Sequence, residues 1–129
     1  MATVLDTSAL LAALQSEPGG ERVDAVLMND ACFMSTVNLA EFASKCLAGG
    51  MSKPDLHAVL GGFDMEVVEF STALALATGE LRAPTHHLGL SLGDRACLAL
   101  ARQLNATALT ADRIWVRLEL GIDIECIRD

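Results

Sequence analysis

Four acidic side chains stand where carboxylates could take part in chemistry. Asp6 and Asp112 each follow a short apolar run typical of a buried strand, whereas Glu41 and Asp94 lie in helical patterns. Because ligands of an open parallel sheet bind at the carboxyl ends of its strands, the two strand-end aspartates are the first candidates for a functional site. The sequence therefore directs attention to carboxylates that could bind a metal ion.

The three aspartates also have a structural interpretation as helix caps. An aspartate before a helix accepts backbone N–H bonds and complements the helix dipole, and this interpretation is favoured for Asp6 and Asp112 taken singly. Ser91 and Asp94 have the spacing of a capping box. Asp94 also falls at the border of an apolar stripe, where a charge requires a cation or strong donors, so capping and function stay equally open for it.

Glu41 carries the weakest signal of the four acids. It points away from the centre of the apolar face of its helix, and Lys45 lies one turn further on. The residues alone therefore favour an exposed Glu41–Lys45 pair, which would stabilise the helix by a few tenths of a kcal/mol.

The four acids together indicate more than each does alone. An all-oxygen set without a histidine or thiolate cluster suits Mg²⁺ or Mn²⁺, and such an ion neutralises the repulsion among the carboxylates. It also lowers the pKa of a bound water for attack on a phosphodiester. In this interpretation Asp6, Asp94 and Asp112 hold the metal, and Glu41 orients water or completes the ligand shell.

Short apolar strand patterns alternate with longer helical patterns along the chain, which predicts one α/β domain over residues 1–129. The predicted strands are Thr3–Leu5, Cys32–Ser35, Val67–Phe70, Thr107–Leu109 and Ile122–Ile127. The predicted helices are Ser8–Gln15, Glu21–Met28, Val37–Ala48, Lys53–Leu60, Thr72–Arg82 and Leu92–Leu104, with a short one after Asp112. Pro84–Gly89 is predicted to be a loop.

Charge and composition limit the classes of function. The 129 residues are 52% hydrophobic and carry a formal net charge of −8, which excludes disordered and fibrous classes. An acidic protein is a poor general binder of nucleic acid, so any such role must be local. No apolar run approaches the ~20 residues of a membrane span. With no signal-peptide pattern at the start of the sequence, we expect a cytoplasmic protein without membrane contacts.

Several other residues attract functional interpretations that we set aside. The four cysteines form no C-x-x-C pair and are predicted to be small buried hydrophobes. His86 and His87 cannot share one helix face for zinc binding, and Trp115 is predicted to be a packing anchor. A flavodoxin-like phospho-acceptor module would have an acidic pair after the first strand and a late lysine, and a D-x-D phosphatase would have an aspartate where Ser8 stands. This chain has none of these features.

Four segments resemble a known family in order and spacing. They are VLDTSALLA at 4–12, STVNLAEFA at 35–43, GLSLGDRACLALA at 89–101 and ATALTADRIW at 106–115. Together they resemble the PIN-domain ribonucleases, and most closely the VapC-type toxins of bacterial type II toxin–antitoxin pairs. The resemblance covers essentially the whole chain, and it rests on the combination, since no single segment would suffice.

The resemblance implies a five-stranded parallel sheet flanked by helices and an endoribonuclease that depends on Mg²⁺ or Mn²⁺. It assigns catalytic and metal-binding roles to an acidic quartet and supporting roles to two hydroxyls. The quartet is Asp6, Glu41, Asp94 and Asp112, and the hydroxyls are those of Ser8 and Thr110. Arg95 and Arg113 are candidate RNA contacts; some relatives have a further acid near the fourth motif, where this chain has Arg113.

The same resemblance implies particular partners. They are a second copy of the chain in a homodimer, a VapB-like antitoxin that blocks the pocket, and cellular RNA such as tRNA or ribosomal RNA whose cleavage halts translation. The alternative within this fold is a catalytically silent domain that acts only by binding its partner. Because all four acids are present, we favour the active form.

Overall fold

Five short strands form one parallel sheet at the centre of the molecule. The computed structural model describes all residues from 1 to 129. The strands are β1 (Ala2–Leu5), β2 (Ala31–Ser35), β3 (Glu66–Val68), β4 (Thr107–Thr110) and β5 (Ile124–Cys126), and their order across the sheet is β3-β2-β1-β4-β5. Every neighbouring pair is parallel, so the predicted α/β class with a five-stranded parallel sheet is confirmed.

Helices connect the strands and cover the sheet. The α-helices are α1 (Thr7–Leu14), α2 (Gly20–Asn29), α3 (Thr36–Ala48), α4 (Lys53–Gly61), α5 (Thr72–Glu80), α6 (Arg82–Thr85) and α7 (Leu92–Leu104). Two 3₁₀ helices span His86–Leu88 and Arg113–Arg117. None of these helices is long and apolar enough to cross a bilayer.

Three strands match the sequence prediction to within one residue, and the other two, β3 and β5, differ by more. β3 begins one residue earlier and ends two residues earlier than the predicted Val67–Phe70, because Val68 is the last residue that pairs with β2. β5 occupies only the middle of the predicted Ile122–Ile127. Apolar runs predict that these strands exist, but the pairing partner decides where each one ends.

The segment predicted as a loop, Pro84–Gly89, is helical for most of its length, so that prediction was wrong. Pro84 is the third residue of α6, where a helix does not use its backbone N–H, so proline does not interrupt it there. The buried Thr85 hydroxyl donates to the Leu81 carbonyl at 2.6 Å and closes the turn. The predicted helix Thr72–Arg82 is correspondingly divided between α5 and α6.

Alternate residues of the central strands fill two hydrophobic layers on opposite faces of the sheet. Val4 and Ala108 belong to one layer and Leu5 and Leu109 to the other, as the two-residue period of a strand requires. The predicted burial of the cysteines is confirmed for three of the four, and all four are free thiols. Cys126 is the exception, because it lies half-buried in the edge strand β5.

Trp115 anchors the segment that follows β4. Its side chain is fully buried in the layer that also contains Leu98 and Leu100, which confirms its predicted packing role. Because Trp115 lies three residues after Asp112, its packing holds the chain that carries this acid against the sheet.

We expect Trp115→Ala to lower the free energy of unfolding by about 3–5 kcal/mol, because it leaves a large cavity in the core. Urea unfolding followed by circular dichroism measures the change. The neighbouring side chain of Val116 is 61% exposed, so Val116→Ala is the control and should change stability by less than about 0.5 kcal/mol. Equal effects of the two variants would contradict the anchoring role.

Candidate active site

The candidate site lies at the switch point of the sheet, between β1 and β4, where the connections to the next strands run to opposite sides. β1 and β4 are neighbours, but the chain continues from β1 towards β2 on one side and from β4 towards β5 on the other. Such a switch point leaves a crevice at the carboxyl ends of the two strands, where ligands of open α/β sheets bind. Asp6 follows β1 directly and Asp112 follows β4 by two residues, so the topology brings them to this crevice.

Asp6 is a buried carboxylate held by three donors. Its side chain is 3% exposed. Oδ1 accepts a hydrogen bond from the backbone N–H of Ala9 at 2.8 Å, which makes Asp6 the N-cap of α1. The Ser8 hydroxyl donates to the same carboxylate at 2.8 Å, and the Thr110 hydroxyl donates to Oδ2 at 2.6 Å. Asp6 therefore caps α1 and lies in the candidate site with the same side-chain orientation.

The two hydroxyls also connect Asp6 to the loop after β4. The backbone N–H of Ala111 donates to Ser8 Oγ, and that of Asp112 donates to Thr110 Oγ1, each at 3.0 Å. Because the ionised Asp6 carboxylate can only accept hydrogen bonds, the proton of each hydroxyl is directed towards it. Ser8 and Thr110, predicted as supporting hydroxyls, thus fix the start of the Asp112 loop relative to Asp6.

Burial raises the pKa of Asp6 from 3.8 to about 6, because desolvation of the charged form outweighs the hydrogen bonds that stabilise it. The negative charge of Asp94 raises it further. Because this pKa lies below 7, Asp6 is ionised at pH 7. Its buried charge lowers the stability of the folded state, and a bound cation would offset that loss.

Asp94 is both a cap and a member of the crevice. Its carboxylate accepts from the Ser91 backbone N–H at 3.0 Å and the Ser91 hydroxyl accepts from the Asp94 N–H at 3.2 Å, so the predicted capping box is present. Burial raises the pKa of Asp94, and the charges of Asp112 and Glu41 add to the rise. Asp94 thus interacts electrostatically with each of the other three acids.

The interpretation of Glu41 from its helical position alone was wrong. No ion pair joins Glu41 to Lys45 in the structure. Instead, Glu41 Oε1 accepts from the Thr7 hydroxyl at 3.1 Å and from Asn38 Nδ2 at 3.3 Å. Glu41 is half-buried and faces the crevice, because α3 packs against both α1 and α7 and presents this edge to them.

All four predicted acids line one small cleft of about 150 Å³ without a hydrophobic side chain. Asp112 is its most exposed acid and caps the following 3₁₀ helix by accepting from the Ile114 N–H at 3.0 Å. Lys45 is the only basic side chain in the lining. The remaining lining residues are Asp6, Thr7, Ser8, Asn38, Glu41, Ser91 and Asp94. Sequence reasoning missed Thr7 and Asn38, because a hydroxyl and an amide on a helix carry no signal of their own.

The donor set of the cleft fits a hard divalent cation. Every side chain in the lining other than Lys45 offers oxygen, and besides burial the charges of neighbouring carboxylates raise the pKa of Asp6 and Asp94. No three of the acids are drawn together as a ready metal-binding group. Mutual repulsion and the separate capping bonds of the aspartates explain that spacing.

The two predicted RNA-contacting arginines differ in their surroundings. The Arg95 guanidinium donates to the Thr78 carbonyl at 3.0 Å and links α7 to α5. Arg113 is exposed and lines a wider cavity of about 580 Å³ that adjoins the acidic cleft through Asp112. Arg128, which sequence reasoning did not single out, lines the same cavity. Outside the cleft itself, positive charge beside Asp112 therefore comes from Arg113 and from Arg128 near the end of the chain.

The chain belongs to the PIN domain family, whose model matches residues 3–120. This confirms the family resemblance carried by the four motifs. A search of curated proteins found no match.

Solved structures with the same fold come from toxin–antitoxin systems. The chain is similar to VapBC2 from Rickettsia felis bound to a promoter DNA fragment (TM-score 0.75, 22% identity, 98% of each chain covered). It is also similar to VapBC-1 from nontypeable Haemophilus influenzae (0.74, 21%, 98% of each). A third is Mycobacterium tuberculosis VapC20, a sarcin–ricin loop cleaving toxin (0.71, 15%, 94% of this chain and 98% of the other).

We expect Asp6→Asn to stabilise the metal-free protein at pH 7 by about 1–3 kcal/mol, the upper bound set by the rise in pKa from 3.8 to about 6. Between these two values the native state of the wild type binds more protons than the unfolded state, so its stability falls as pH rises from about 4 to about 6. The variant lacks this dependence, and its advantage should therefore vanish near pH 4.

Urea unfolding in EDTA at several pH values measures this difference. Asp24→Asn, at an exposed position on α2, is the matched control. An Asp6→Asn variant that is less stable than wild type at pH 7 would mean that the three hydrogen bonds to Asp6 outweigh its desolvation.

Proposed function

We propose that this protein is a Mg²⁺- or Mn²⁺-dependent endoribonuclease and acts as the toxin of a toxin–antitoxin pair. The observation that carries the proposal is the convergence of four carboxylates from β1, α3, α7 and the loop after β4 on one cleft at the switch point. Membership of the PIN domain family and the fold shared with VapBC structures support it.

In the proposed mechanism Asp6, Asp94 and Asp112 hold the metal, and Glu41 completes the ligand shell or orients water. A divalent ion held there supplies a water of lowered pKa and neutralises charge on the phosphate. Ser8 and Thr110 keep Asp6 oriented through their donated protons. Hydrolysis would form a bond between the water oxygen and phosphorus and break the bond from phosphorus to one ribose oxygen, which leaves as a hydroxyl carrying the proton that the water gives up.

The substrate in this proposal is cellular RNA, such as tRNA or ribosomal RNA. Its backbone would enter through the wider cavity beside Asp112, where Arg113 is free to meet a phosphate. One of the similar structures is described as a toxin that cleaves the sarcin–ricin loop, which supports ribosomal RNA as a substrate class.

Protein partners form the other part of the proposal. We propose a VapB-like antitoxin that blocks the cleft and a homodimer in the cytoplasm, because several similar structures are VapBC complexes. Large apolar side chains on the surface fit protein contacts of this kind. The most exposed are Met1, Met28, Leu76, Val116 and Leu92.

Two other functions fit the sequence less well. A silent domain of the same fold would have no need for four acids in one cleft, and the cleavage experiment below distinguishes it. A flavodoxin-like phospho-acceptor module has the strand order 2-1-3-4-5, whereas this sheet has the order 3-2-1-4-5. The strand order thus removes the structural basis for the second alternative.

We expect the purified chain, freed of any partner, to cleave structured RNA with Mg²⁺ or Mn²⁺ and to stop when EDTA is added. Asp94→Asn should lower cleavage by at least about 100-fold, because it removes a charged ligand of the metal. Asparagine keeps a side-chain oxygen that can accept the Ser91 N–H, and Ser91 still caps the helix, so α7 should stay folded.

Gel analysis of RNA fragments measures the cleavage rate, and circular dichroism checks the fold. Asp24→Asn is again the control and should cleave at the wild-type rate. Persistent cleavage in EDTA, or undiminished cleavage by Asp94→Asn, would exclude the metal mechanism. A folded, metal-loaded wild type that cleaves no RNA would support the silent domain.

We expect Arg113→Gln to raise KM for RNA about fivefold with little change in kcat. A guanidinium that meets a flanking phosphate binds the ground state and the transition state equally, so its loss appears in KM. Steady-state kinetics at two salt concentrations measures the effect, and the difference should shrink at high salt. The control is Arg82→Gln, an exposed arginine on α6. An effect confined to kcat would instead place Arg113 at the reacting group.

A further inference from the structure

Glu41 is the one acid of the cleft that caps no helix, and other residues hold it in place. The Thr7 hydroxyl lies 3.1 Å from Glu41 Oε1 and 3.1 Å from the Asn38 carbonyl oxygen. Asn38 Nδ2 donates to the same Oε1 at 3.3 Å. Both contacts fall on one carboxylate oxygen, and the other, Oε2, has no donor in the protein.

The orientation of the Asn38 amide follows from its neighbours. Nδ2 lies 3.1 Å from the Gly93 carbonyl oxygen and 3.3 Å from Glu41 Oε1, and both of these atoms only accept hydrogen bonds. The amide nitrogen must therefore face them. Oδ1 is left buried without any partner, in a side chain that is 1% exposed. An unpaired buried acceptor is costly, so retaining this amide calls for an explanation beyond packing.

Gly93 provides the space for the Glu41 carboxyl group. A Cβ atom at position 93 would lie 2.6 Å from Glu41 Cδ and 2.7 Å from Oε2, and it would overlap Oε1. No side chain larger than hydrogen is compatible with the observed position of Glu41. Gly93 directly precedes Asp94, so the bond from Asn38 to its carbonyl also ties α3 to the turn of α7 that carries this acid.

We propose that Thr7, Asn38 and Gly93 are positioning residues that orient the Glu41 carboxylate relative to Asp94. They hold Oε1 by hydrogen bonds and steric fit and leave Oε2 free for a cation or a water molecule. The arrangement joins α1, α3 and α7, which the sheet alone does not fix relative to one another. The catalytic consequence rests on the proposed function, whereas the orientation of Glu41 is a property of the metal-free chain.

The first experiment tests the orientation without metal. The ¹³C resonance of the Glu41 carboxyl group, assigned by its loss in Glu41→Gln, is followed in EDTA. We expect it to shift in Thr7→Val, Asn38→Ala and Gly93→Ala, because each variant removes a donor or the space for the carboxyl group. The controls are Thr78→Val, another fully buried threonine, and Gly79→Ala, whose added Cβ meets open space. An unchanged resonance in all three variants overturns the proposal.

The second experiment tests the consequence for the metal site. Mn²⁺ binding in the absence of RNA is followed by the electron paramagnetic resonance of free Mn²⁺. We expect Thr7→Val and Asn38→Ala to weaken binding by about 10- to 100-fold, as loss of supporting hydrogen bonds does at metal sites. Thr7→Ser keeps the hydroxyl and should retain binding, which separates hydrogen bonding from packing.

The outcomes are distinguishable. A wild type that binds no Mn²⁺ contradicts the proposed function, and the carboxyl resonance still decides whether the three residues orient Glu41. A wild type that binds Mn²⁺ while Thr7→Val and Asn38→Ala bind it equally well overturns the positioning role. Weakened binding in Thr7→Val together with retention in Thr7→Ser supports it, even if Asn38→Ala does not fold.

Discussion

The buried carboxylate of Asp6 is the constraint around which the site is built. A charge at 3% exposure is tolerated only because strong donors surround it. Those donors come from two distant parts of the chain, namely the first turn of α1 and the end of β4. The hydrogen bonds to this one carboxylate therefore hold α1 against the loop after β4 and place Asp112 at the same crevice.

Like charges can gather in this cleft without a cation because most of them also stabilise the backbone. Asp6 and Asp112 are N-caps and Asp94 completes the capping box of α7, so each accepts a backbone N–H bond at the start of a helix. The favourable capping interaction partly offsets the desolvation and the weaker charge repulsion that together raise the pKa of Asp6 and Asp94. Capping and ligand chemistry require the same thing, a carboxylate fixed at a helix start, so one residue serves both.

The acids that cap helices could be predicted from the sequence, whereas the surroundings of Glu41 could not. The strand-end and helix-start acids could be predicted, because β-runs and capping patterns are local signals. Glu41 was misinterpreted from its helix alone, since two of its contacts come from other helices. They are the Thr7 hydroxyl, 34 residues earlier, and Gly93 in α7. Asn38 had no signal at all, because its role depends on a tertiary contact with Gly93. Local sequence patterns thus predict the three acids that cap helices. The residues that orient Glu41 are identified only from the packing of the helices against one another.

The net charge of −8 acquires a different meaning once the acids are located. Four of the negative charges surround a single cleft whose lining holds one basic side chain, Lys45. Without a cation this cleft repels a phosphate, and a divalent ion would cancel two of the four negative charges and weaken that repulsion. Of the two arginines at its rim, Arg128 pairs with Glu17 at 3.4 Å, whereas Arg113 forms no ion pair. In the proposed function, recognition of RNA at this surface therefore depends on the ion more than on basic side chains, and a basic protein segment would be an equally complementary occupant of the cleft.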